Sequence, residues 1–217
     1  MRKHWSMFSR LLSGGCLLLW TAAGCSSLPN CDLILGNMPE PAGDDAEKLV
    51  AQGDHVRDMA LKTLTHDKLW PLGYCQASEA EKYYRYVLEN LEPHNAYAKL
   101  NLGYLALIKS YGATGSEKEI QLDTAFARFN EALELRRGYA PAHMYLGEVY
   151  VMRKEYDKAI SEYKKLTDSG LGNSYVYAWA GYAANKMGKP EEAKKLFRKA
   201  VERGDREEAA AWARKRM

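Results

Sequence analysis

The chain has 217 residues, 47% of them hydrophobic, rich in Leu, Ala and Tyr and sparing in β-branched residues. That suffices for one packed domain or a short repeat array, and it favours helix over sheet. The formal charge of +3 comes from the first 25 residues, which hold Arg2, Lys3 and Arg10 and no acid, so the body of the chain is neutral and lacks the basic excess that a nucleic-acid binder uses against phosphates.

Charge is nevertheless polarised along the chain. Residues 26–95 carry 12 acids against 6 bases, and residues 186–217 carry 6 acids against 11 bases. Solvated helix faces account for such runs more simply than a docking patch does.

In chain order, residues 1–24 read as an export signal: a basic start, the apolar run from Leu11 to Ala23, then small residues. The run is too short to span a ~30 Å hydrocarbon core as a helix. Ala22-Ala23-Gly24-Cys25 resembles the lipobox of bacterial lipoproteins. The resemblance implies cleavage before Cys25 and acylation of that cysteine. An ordinary cleaved signal with a chance cysteine is the alternative. Ser26 rather than Asp follows Cys25, which by the lipoprotein rule implies the periplasmic face of an outer membrane. An inner membrane or a Gram-positive cell membrane stays open.

Residues 25–44 form a tether broken by Pro29, Gly36, Pro39, Pro41 and Gly43. Leu33-Ile34-Leu35 is too apolar for a free linker, so part of the tether is expected to pack on the domain. Cys31 and Cys75 could pair in an oxidising compartment, and two free thiols are equally compatible with the sequence.

A repeat of 34 residues governs the rest. Gly147, Ala159, Tyr163 and Leu166 return as Gly181, Ala193, Phe197 and Ala200, and the last three of them are preceded by Ala125, Phe129 and Ala132. His143-x-x-Leu146-Gly147-x-x-Tyr150 followed by Ala159-x-x-x-Tyr163 resembles the tetratricopeptide repeat, a helix–turn–helix unit with a small/large signature. The signature Trp is absent, and His143 stands in its place. The expected fold is all-α: a tetratricopeptide-type solenoid of three to four helical hairpins with a C-terminal capping helix. Residues 45–95 are read as a degenerate first hairpin, with Gly53, Ala80 and Tyr84 in the small and large slots. Repeats follow at about 96–139, 140–173 and 174–204, with the cap at 205–217, where Asp205 is expected to start the helix. Tyr163 and Phe197 are expected to fill the space between neighbouring hairpins. Two stretches exceed the period: residues 65–79 are read as a segment longer than a repeat turn, and residues 108–124 as longer helices joined by an extended turn.

In this family the first helices line a concave groove that takes a peptide or a partner helix. The carried-over positions are Tyr97, Leu100, Tyr104 and Leu107; then Met144, Glu148 and Val151; then Tyr175, Ala178, Tyr182 and Asn185. Leu100 and Leu107 read better as core, and Tyr104, Tyr175 and Tyr182 as exposed. The Lys, Asn and Arg with which one subclass grips a terminal carboxylate are mostly missing. His4, His55, His66, His94 and His143 form no metal motif, and no nucleotide or hydrolase motif occurs. No catalytic residue, metal or cofactor is therefore expected.

By analogy, the chain is a lipid-anchored scaffold that binds proteins or peptides of the cell envelope, in pilus or secretin assembly. An adaptor for cell-wall hydrolases or a peptidoglycan-associated binder is the alternative. An enzyme or metal protein using residues around His66 and Cys75 is a third reading.

Overall fold

The computed structural model describes residues 30–36, 38, 40–65 and 69–217. The export signal, Cys25 and His66 lie outside the described residues. Among the described residues ten α-helices follow in order: α1 Cys31–Leu35, α2 Ala46–Thr65, α3 Trp70–Tyr86, α4 Ala96–Gly112, α5 Gly115–Leu135, α6 Ala140–Met152, α7 Tyr156–Asp168, α8 Ser174–Lys186, α9 Pro190–Arg203 and α10 Glu207–Arg214. A π-helical turn, Val87–Leu91, extends α3. No described helix is long and apolar enough to cross a membrane.

Local signals set the helix ends. Asp45, Asn95 and Asn173 accept backbone N–H groups from the first turns of α2, α4 and α8 at 2.8–3.0 Å, which relieves donors that have no intrahelical partner. Pro71, Pro141 and Pro190 sit in the first turns of α3, α6 and α9, where the missing N–H costs nothing.

The helices pair as α2–α3, α4–α5, α6–α7 and α8–α9, and each pair packs on the next, with α10 covering the last. The small and large slots of the repeat hold this together. Ala80, Tyr84, Ala125, Phe129, Ala159, Tyr163, Ala193 and Phe197 are all 2% exposed or less. A Cβ on Gly103, Gly147 or Gly181 would stand 2.4–2.7 Å from the ring of Phe129, Tyr163 or Phe197 respectively, and a Cβ on Gly53 would stand 3.2 Å from Tyr83 and Tyr84. Each ring therefore fills the space inside its own hairpin, against that hairpin's glycine, and not chiefly the space between hairpins. The next unit then packs on the outside of the ring, as Tyr145 stacks on Phe129 at 5.6 Å.

Three expectations need correction. The stretch 108–124 holds no extended turn: only Ala113 and Thr114 separate α4 from α5, so the extra residues lengthen the helices. The stretch 65–79 is likewise mostly helix, since α3 begins at Trp70. Asp205 does not cap α10. Its carboxylate accepts the N–H of Ser174 at 2.8 Å and so serves the start of α8, while α10 begins after Arg206 with no side-chain cap.

Cys31 and Cys75 form a disulfide with Cα atoms 5.0 Å apart. It ties α1, which buries no residue of its own, to the back of the first hairpin.

A candidate binding groove

The concave side carries a cleft of about 760 Å³. Leu61 and Leu64 of α2 and Trp70 of α3 form one end. Tyr104, Ile108 and Tyr111 of α4 and Glu148 of α6 form the floor. Tyr175 and Trp179 of α8 lead to the far end, closed by Arg206–Ala209 at the start of α10. No residue of α5, α7 or α9 lines it, so the first helices of successive hairpins supply the floor. The two over-long stretches meet here. Trp70 lies against Gly112, where a Cβ would come within 2.1 Å of the indole, and each added segment thus walls the same end of the cleft.

The lining is mostly aromatic. Tyr104 stacks on Tyr145 at 4.6 Å, and burial pushes the Tyr104 hydroxyl well above the usual phenol range. Trp179 lies between Tyr175 at 6.0 Å and Tyr182 at 5.7 Å, with Trp212 of α10 stacked on it at 5.9 Å. Amid these rings sits one carboxyl group. Glu148 is 2% exposed and accepts a hydrogen bond from the Tyr175 hydroxyl. Burial raises its carboxyl to about 8, because the charged form loses its hydration. No ion pair among the described residues includes it.

Of the residues carried over from the sequence, Tyr104, Glu148 and Tyr175 meet in the cleft. Leu100, Leu107, Met144, Val151 and Ala178 do not: each is 6% exposed or less and packed in the core between hairpins. Tyr182 is half-buried beneath Trp212, at 5.9 Å, and Asn185 is exposed beyond the cleft. Tyr97 is 39% exposed, and its hydroxyl is committed to Asp54 at 2.9 Å. Trp70 and Arg206 were not legible as lining residues, because no repeat register brings α3 or the start of α10 to the groove, and Tyr111 and Trp179 lie on the carried-over helices α4 and α8 but outside the carried-over positions.

A second polar cluster joins the first two hairpins. Asp54, which with His55 looks like an ordinary surface pair in the sequence, accepts hydrogen bonds from the hydroxyls of Tyr84 at 2.5 Å and Tyr97 at 2.9 Å, and pairs with Arg57 at 2.7 Å. Arg57 also donates to Asn101 at 2.6 Å. The third reading, a site around Cys75, loses its thiol: Cys75 is fully buried and bonded to Cys31. Among the described residues no three His, Cys, Asp or Glu side chains are grouped to hold a metal ion.

Residues 118–179 match the sequence model of the tetratricopeptide repeat. Among solved structures, TTC0263, a thermophilic tetratricopeptide protein of Thermus thermophilus, is similar with a TM-score of 0.57 and 17% identity over 79% of this chain and 98% of that one. MamA is similar with a TM-score of 0.51 and 25% identity over 76% of this chain and 97% of that one. No curated protein matches the chain. The fold is thus an all-α tetratricopeptide solenoid.

Proposed function

We propose that the protein is a scaffold that holds a segment of a partner protein in its groove while an acylated Cys25 fixes it to a membrane of the bacterial envelope. A tetratricopeptide solenoid is as a rule a protein-interaction scaffold without chemistry of its own. The observation that carries the reading is the cleft itself: about 760 Å³, open to the concave side, and walled by tyrosine and tryptophan. Such rings supply large apolar area with hydrogen-bonding edges at low entropic cost, which is the make-up of binding hot spots. The envelope setting rests on the Ala22-Ala23-Gly24-Cys25 sequence, and assembly of pilus, secretin or other envelope complexes is the setting we favour.

Tyr104→Asp tests the groove. The variant should keep its helicity by circular dichroism and lose capture of groove-binding peptides by about tenfold or more. Unchanged capture moves the site elsewhere. Cys25→Ala tests the anchor: the protein should leave the membrane fraction for the soluble one, and retention on membranes removes the lipoprotein reading.

A further inference from the structure

The glycines of the repeat mark equivalent positions, and the residue after each is Asp54, Tyr104, Glu148 or Tyr182. Two of the four are carboxylates, and their surroundings correspond. Tyr84 and Tyr163 are the aromatic residues that lie on Gly53 and Gly147. Tyr97 and Tyr175 each stand six residues before the glycine of their own hairpin, Gly103 and Gly181. At the first site both hydroxyls donate to Asp54, and Arg57 completes the cluster at 2.7 Å.

At the second site the Tyr175 hydroxyl donates to Glu148. The Tyr163 hydroxyl is buried with no hydrogen-bond partner. Three residues after Glu148, where Arg57 follows Asp54, stands Val151. The described structure therefore holds the same carboxylate and tyrosines twice, once with a guanidinium and once without. Only the copy without it lines the groove.

Burying a carboxyl among rings is unfavourable unless something compensates. Tyr104 and Tyr182 show that a ring is accommodated at the equivalent positions, so packing does not require Glu148. Arg206 does not supply the missing cation: it stays at the rim, over the Tyr175 ring at 6.0 Å, beside Glu207 and Glu208.

We propose that the groove recognises an arginine side chain of the bound partner segment, whose guanidinium takes at Glu148 and Tyr175 the place that Arg57 takes at Asp54 and Tyr97. The proposal rests on the groove being the binding site and adds the chemistry of its occupant. Aromatic faces beside the carboxylate suit a planar guanidinium better than a compact ammonium, and Glu207 and Glu208 add attraction at the entrance. Ionisation of Glu148 accompanies binding. The titratable groups that face it are the hydroxyls of Tyr104 on α4, Tyr163 on α7 and Tyr175 on α8, and Tyr111 on α4 and Arg206, Glu207 and Glu208 at the start of α10 line the same cleft. Since the free carboxyl loses its proton only near pH 8, affinity for a cation should rise from pH 6 to pH 8.5.

The test is selection of random twelve-residue peptides on the full chain in detergent. Selected peptides should be enriched in arginine. Replacing that arginine by neutral citrulline should weaken binding about tenfold or more. Glu148→Gln, which keeps an acceptor for Tyr175, should cause a similar loss that does not add to the first, and should abolish the pH dependence. Peptides that bind in the groove, as shown by loss of binding in Tyr104→Asp, but with no arginine preference would overturn this inference and leave the groove reading standing. The same holds if the preference survives in Glu148→Gln. If no peptide is selected, or selected peptides ignore Tyr104→Asp, the groove reading fails and the inference with it.

Discussion

Gly147 has no room for a methyl group, because a Cβ there would stand 2.4 Å from the Tyr163 ring. Both belong to one hairpin, and the ring is 1% exposed, so it has nowhere to swing. Gly147→Ala should cost about 1–3 kcal/mol by overpacking, read as a lower urea midpoint with an unchanged slope. Tyr163→Leu in the same chain should recover part of the loss. This pair was legible in the sequence, since a small residue and a ring recur together at fixed spacing. Asp54 and Glu148 were harder to interpret. A carboxylate on a helix reads as solvent-facing by default, and the hydroxyls that make these two sites polar clusters come from Tyr84 across the hairpin of Asp54 and from Tyr97 and Tyr175 on the next hairpins.

Among elements, α1 depends most on a covalent link. It buries no residue, and a disulfide across 44 residues holds it to α3. Loop closure of that length stabilises the folded chain by about 4 kcal/mol in the entropic account. Cys31→Ser should lower stability by up to that amount in urea unfolding and open residues 31–36 to proteolysis, while the helicity of α2–α9 persists. A variant as stable and protease-resistant as the parent would show that packing, not the bridge, docks α1. The pairing was open in the sequence because two cysteines carry no distance between them. The turn between α4 and α5 was overestimated for a related reason. Gly112, Gly115 and Ser116 look like turn residues, yet Gly112 is required by its contact with Trp70, which comes from another hairpin.

At the level of the molecule, α10 does three things at once. Trp212 covers Trp179 and Phe197 at 5.9 and 6.0 Å, Asp205 just before it serves the first turn of α8, and Arg206–Ala209 close the far end of the cleft. A chain ending at Gly204 should lose about 2–4 kcal/mol through exposed rings and the lost cap, measured by the urea midpoint. Its groove peptides should dissociate faster. Equal stability would mean that the last hairpin covers itself.

Periodicity and residue type were enough to establish the repeat, the helical class and the slots where glycine meets a ring, because these follow from contacts within one 34-residue unit and recur in each. Only the assembled stack settles which tyrosines are spent on internal carboxylates, that Met144, Val151 and Ala178 are core, and that Trp70, Glu148, Trp179 and Arg206 share one opening. Those outcomes depend on how successive hairpins rotate against one another, a property of the stack that no single unit encodes.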